Sequence, residues 1–110
     1  MLEAPPGSLF TCSVVLGELY FGARRSEPEH QTANLALIEQ LQKQIPSLPY
    51  DDLAAQHYGA IRETLTNAGT PIGPNDLLIA AIASARHMTI VTSNTREFGR
   101  VPNLLIEDWA

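Results

Sequence analysis

Seven apolar residues run without interruption from Leu77 to Ala83. A helix built from this run has no polar side, so it must lie inside a fold and be covered on more than one face. Asp76 stands directly in front of it. A second carboxylate, Glu18, is the one charged residue in Val14-Val15-Leu16-Gly17-Glu18-Leu19-Tyr20-Phe21-Gly22-Ala23. A charge set into surface meant for burial costs on the order of several kcal/mol unless it is paired or binds a cation. Acidic side chains are almost never fully buried without such a partner. The neighbouring sequence offers no dedicated cation, which makes a metal ion a serious candidate.

The rest of the chain reads as alternating short apolar strands and helices. Leu9-Phe10-Thr11-Cys12 is expected to be a buried strand following the Pro5-Pro6-Gly7 break. Ser13 is expected to cap a helix running to Arg25. Glu27 to Gln31 reads as a polar loop. The next helix carries Leu35, Ile38, Leu41 and Ile45 at helical spacing. Pro46 and Pro49 bracket a short extended segment. Asp51 or Asp52 caps a third helix with Ala54, Tyr58, Ile61, Leu65 and Ala68 on one face, and Gly69 ends it. Thr70-Pro71-Ile72-Gly73-Pro74 is a turn that delivers Asp76 to the start of the apolar helix. Thr89 to Thr92 and Leu104 to Ile106 read as the last strands. This alternation indicates one α/β domain over residues 1–110 with a mostly parallel sheet. Ligands of such sheets gather outside the C-terminal strand ends, where Glu18, Asp76 and the Ser93–Glu97 loop are all expected.

Charge and cysteine content narrow the function. With 110 residues, a net charge of −5 and a pI near 5.0, the chain is unsuited to nucleic-acid binding by overall charge. A local basic patch is compatible with this, and six of the seven cationic residues are Arg, the side chain suited to phosphate. The single cysteine, Cys12, excludes a disulfide within the chain and fits a reducing cytosol. The apolar runs are too short to cross a membrane, and a membrane partner is not expected.

Each candidate site residue also has an ordinary explanation. Asp76 in a first helical turn stabilises the helix by itself, so that reading and a functional one weigh equally. Capping does not explain Glu18, whose position favours function. Asn94 and Glu97 read singly as a polar turn, with Asn94 as an Asx cap and Glu97 pairing with Arg100. Arg96 and Arg100 either contact RNA phosphates or are solvated. His30, His57 and His87 have no zinc-ligand spacing. Ser13 and Ser93 lack a nucleophile setting, and no glycine-rich phosphate loop is present. An acidic, oxygen-only set remains, of the kind that Mg²⁺ or Mn²⁺ prefers.

The order of these motifs resembles the PIN-domain family. The motifs are Ser13 to Ala23, Thr70 to Ala81, Ile90 to Phe98, and Glu107-Asp108-Trp109. The likeness is strongest to VapC-type toxins of bacterial toxin–antitoxin pairs and covers essentially the whole chain. It implies a three-layer α/β fold and a Mg²⁺- or Mn²⁺-dependent endoribonuclease. Glu18 and Asp76 match two of the family's metal-binding acids. Asn94 falls in the third motif, and Glu97 matches an acidic position that assists there. All four are thereby expected to be catalytic. In that chemistry a metal-bound water attacks the phosphodiester. The resemblance also implies an RNA substrate (tRNA or another structured RNA), a cognate antitoxin, a homodimer and a cytoplasmic location.

The family's first strand, which ends in an Asp, has no counterpart in the sequence, and Glu3 does not match it. The expectation is a truncated family member that lacks one metal ligand and a central strand, with impaired cleavage. Its neighbouring strands are left unpaired unless the gap closes by rearrangement or by pairing with another chain. The rival reading is a catalytically inactive remnant that binds an antitoxin or a full-length toxin.

Overall fold

A computed structural model describes residues 1–4 and 8–108. The Pro5-Pro6-Gly7 break and Trp109 of the last motif lie outside the described residues. The elements are β1 (Leu2–Ala4), β2 (Ser8–Cys12), α1 (Ser13–Arg25), α2 (Pro28–Gln44), β3 (Ser47–Leu48), α3 (Asp52–Ala68), α4 (Pro74–Ala85), β4 (Thr89–Thr92), α5 (Thr95–Phe98) and β5 (Leu105–Asp108).

The strands form one sheet in the order β3-β2-β1-β4-β5. β2 pairs with β3, and β4 with β5, in parallel. β1 lies between the two pairs and is antiparallel to both neighbours, with Leu2 opposite Phe10 and Ile90. The other four strands therefore share one direction, and the sheet is mostly parallel. β1 also corrects the expectation of unpaired strands in mid-sheet. The slot between β2 and β4 is filled, Leu2 is only 2% exposed, and the Val91 amide donates to the Met1 carbonyl at 2.8 Å. Two ladders replace the groups that an empty slot would have stranded.

The apolar helix lies inside, as its composition requires. Leu77, Ala80, Ala81, Ile82, Ala83 and Ala85 of α4 are buried. They meet Ala54, Ile61 and Leu65 of α3, Leu2 and Ile90 of the sheet, and Phe98 and Val101 beyond β4. The small side chains of α4 let its neighbours approach closely, and α3 packs against it along much of its length. A second, smaller core lies between α1 and α2, from Leu16, Ala23 and Ile38 with Tyr20 and Leu35 packed on it. The Tyr20 hydroxyl donates to Gln42 Oε1 at 2.6 Å across this pair.

Three local expectations are corrected. Ser13 is the first residue of α1, and Cys12, with extended backbone, is the N-cap, with no side-chain cap bond. Glu27 to Gln31 is not a loop, because α2 begins at Pro28, whose fixed φ suits a first helical position. Ala68 is exposed at the end of α3. Elsewhere the local chemistry acts as its residues suggest. Asp51 accepts from the Ala54 amide at 2.9 Å as N-cap of α3, and Gly69 ends that helix at φ 69°.

Candidate functional site

The turn before α4 builds the site. Pro71 and Pro74 stiffen it, and Gly73 leads into the helix. Asp76 falls in the first turn of α4, half-buried against the sheet. β4 then ends at Thr92, whose Oγ1 accepts from the Asn94 amide at 3.0 Å and fixes the following turn. The Asn94 side chain does not cap α5, which corrects the Asx-cap reading. Its Nδ2 instead donates to Asp76 Oδ2 at 3.2 Å and to Glu97 Oε2 at 3.3 Å. The two carboxyl groups lie within hydrogen-bond reach of each other. Gly73 is packed against both, since a methyl group there would sit 3.8 Å from Asp76 Oδ2 and from Glu97 Oε2.

Electrostatics divides the pair. Burial, the hydrogen bond to Glu97, and the charges of Glu97 and Glu18 raise the Asp76 carboxyl to a pKa of about 6. Glu97 is held below the usual carboxylate range by hydrogen bonds from Asp76 and Asn94, the Gly73 amide and the charge of Arg100. Asp76 therefore holds the proton when only one of the two is ionised, a division typical of paired carboxylates. Arg100 makes no ion pair with Glu97. Its Nη1 donates to the Pro71 carbonyl at 2.8 Å, and elsewhere Arg86 pairs with Asp51 at 2.7 Å.

Glu18 requires the largest correction. It is exposed, not buried, because α1 buries only Leu16 and Ala23, and its neighbours Leu19 and Phe21 are exposed too. The burial argument for Glu18 fails. Its position is nonetheless specific: Asn75 Nδ2 donates to Glu18 Oε1, tying α1 to the first turn of α4, and its charge reaches Asp76. Asn75, Gly73 and Thr92 are the residues that sequence reasoning missed. Only the adjacency of Asn75 to Asp76 could have signalled one of them. Arg96 is exposed on α5.

The donor set can be tested for a hard divalent ion. Among the described residues no three His, Cys, Asp or Glu side chains converge as a metal group. Asp76 and Glu97 do converge, with Asn94 between them. All three carry oxygen donors. Such a pair fits Mg²⁺, which is commonly bound through one or two carboxylates and keeps several waters. Beside the site, Asp76, Ile79, Asn94 and Phe98 line a cavity of about 170 Å³ that reaches Met1, Leu2 and Cys12.

An α/β sheet in this strand order, with acids gathered where β4 ends and α4 begins, defines the class. A sequence model of the PIN domain matches residues 1–104, and the chain belongs to the PIN-domain family. Within that family its relatives are VapC proteins. It is 48% identical over 105 residues to the tRNA(fMet)-specific endonuclease VapC of Shigella flexneri, covering 94% of this chain and 77% of that protein. It is 39% identical over 104 residues to Ribonuclease VapC2 of Haemophilus influenzae, covering 94% and 76%. The fold is similar to that in the crystal structure of DNA-bound VapBC from Salmonella typhimurium, with TM-score 0.85, 43% identity, and coverage of 90% of this chain and 74% of that one. A VapBC2 structure from Rickettsia felis, bound to a promoter DNA fragment, gives TM-score 0.88 at 33% identity, covering 96% and 77%.

Proposed function

We propose that this chain is a Mg²⁺- or Mn²⁺-dependent endoribonuclease, the toxin of a VapBC-type toxin–antitoxin pair acting in the cytoplasm. The observation that carries the reading is the Asp76–Asn94–Glu97 cluster, in a chain whose relatives are named as VapC ribonucleases. Asp76 and Glu97 would hold the divalent ion. Glu18 adds negative charge beside them. The bound ion would supply an activated water and charge stabilisation at the phosphodiester.

The chain's own residues do the rest. Asn94 holds the two carboxylates in register. Hydrogen bonds from Asp76 and Asn94, with a smaller contribution from the Gly73 amide, hold Glu97 below the usual carboxylate range. Arg100, whose charge reaches Glu97, and Arg96, exposed on α5, are suited to substrate phosphates. A tRNA substrate is supported by the name of the Shigella flexneri relative. An antitoxin partner is supported by the VapBC neighbours. A homodimer is proposed from the family resemblance.

The test is cleavage of tRNA by the purified chain with Mg²⁺, with Mn²⁺ and with chelator. Cleavage is expected only with the divalent ion, and Asp76→Asn, which removes a ligand of that ion, should lower it at least about 100-fold, no less than the loss of an outer-shell partner costs a metal site. Metal-independent cleavage, or full activity in Asp76→Asn, would refute the reading. Antitoxin binding without cleavage under any metal would establish the binding-module alternative.

A further inference from the structure

A larger cavity, of about 360 Å³, opens on the α3 side of the site and has no role in the mechanism above. Its floor is apolar, from Leu65, Ile72 and Leu77, and one wall is Tyr58 with Arg62. The Arg62 guanidinium lies 5.9 Å from the Tyr58 ring centroid, and its Nη1 donates to the Tyr58 hydroxyl at 3.1 Å. Tyr50 meets the same ring edge-on at 6.1 Å and 88°, which steadies it. The opposite wall is Pro71 and Pro74, the turn whose Gly73 packs on Asp76 and Glu97. Leu77 follows Asp76 directly in α4. The cavity and the acid cluster are thus two sides of one turn.

We infer that this cavity is a nucleobase subsite, which seats a base flanking the scissile phosphate against Tyr58 and Arg62. The inference rests on the ribonuclease reading above. A steadied ring, a guanidinium over it and an apolar floor form the stacking surface that single-stranded RNA bases use. Arg62 in the lining, and Arg100 bonded to the carbonyl of the lining residue Pro71, supply positive charge for the adjoining phosphates in a chain that is acidic overall. The volume lies at the lower end of sites that take small ligands. Recognition of this kind is tolerant of base identity, because every base has a π-face.

Two measurements test this separately from cleavage. The isotopically labelled full chain is titrated with adenosine 5′-monophosphate and, in parallel, with ribose 5-phosphate, by two-dimensional NMR. The nucleotide is expected to shift the amides of Tyr58, Thr66 and Leu77, and ribose 5-phosphate is not. Equal shifts with both probes, or nucleotide shifts confined to other regions, would overturn the inference. So would a shift of these amides by antitoxin and not by the nucleotide. In the cleavage assay, Tyr58→Leu and the exposed Arg62→Gln should each raise KM for RNA about tenfold, the scale of one lost stacking contact, with kcat within about twofold. An unchanged KM in Arg62→Gln would overturn it even if Tyr58→Leu misfolds. Absence of cleavage in the wild type would refute the ribonuclease reading alone, since the titration still decides the subsite.

Discussion

Asp76 sets the pH behaviour of the site. Its folded pKa of about 6 lies above the ordinary 3.8 of an Asp carboxyl, so between those values the folded state binds more protons than the unfolded one. Its contribution to stability is full below pH 3.8 and is lost as pH rises through 6. Glu97, shifted down, has the opposite sign: its contribution is present above its ordinary range and lost as pH falls through its lowered folded value. At pH 7 in chelator, Asp76→Asn should therefore raise stability, by about 1 kcal/mol after discounting for solvent screening. It should also flatten the pH dependence between 4 and 6. Thermal unfolding across that range measures both. Mg²⁺ should raise the wild-type Tm by binding the folded state only, and it should leave Asp76→Asn unmoved. A wild-type Tm that ignores millimolar Mg²⁺ would argue against the carboxylates as its ligands. Of the site residues, Asp76 was legible because its place before an apolar run is a local pattern. Glu18 was singled out for a false reason. Its neighbours are apolar, but α1 stays largely uncovered, and exposure is a property of packing that one segment's sequence does not contain. The pairing of Asn94 with two carboxylates, one of them 18 positions away, was likewise invisible to local reasoning.

The helices carry the most legible physics. Asp51, Gly69 and the Pro71–Pro74 turn do what their residue types suggest, because caps and turns are decided within a few residues. Gly69→Ala should cost about 1–2 kcal/mol, since φ of 69° is unfavourable for a side chain although nothing lies within 4 Å of the added methyl. Urea denaturation reads that loss. α4 offers the opposite case. Ala80, Ala81 and Ala83 are fully buried, so Ala81→Leu should lose about 1–3 kcal/mol through overpacking. If that variant were as stable as wild type, the close approach of α4 to its neighbours would be wrong. The start of α2 was misread because Glu27-Pro28-Glu29 is polar and contains proline, and the same residues suit a first helical turn as well as a loop.

At the scale of the molecule, the sheet holds together through its middle strand. Leu2 is packed between β2 and β4 in the main core, so Leu2→Ala should cost about 2–4 kcal/mol and lower the midpoint of chemical denaturation without changing its slope. Mostly parallel strands were foreseeable from the alternation of strands and helices. The reversed direction of β1 was not, because strand orientation is fixed by the partners and Leu2-Glu3-Ala4 carries no sign of it.

The second small core has a dynamic consequence. α1 and α2 are stapled to each other by Leu16, Ala23 and Ile38, while α1 touches α4 far less than α3 does. Units with their own sparse packing open before the whole chain unfolds. The pair should breathe as a hinged flap, its amides exchanging hydrogen sooner than those of α4. Each opening parts Glu18 from Asn75 and carries one negative charge away from Asp76.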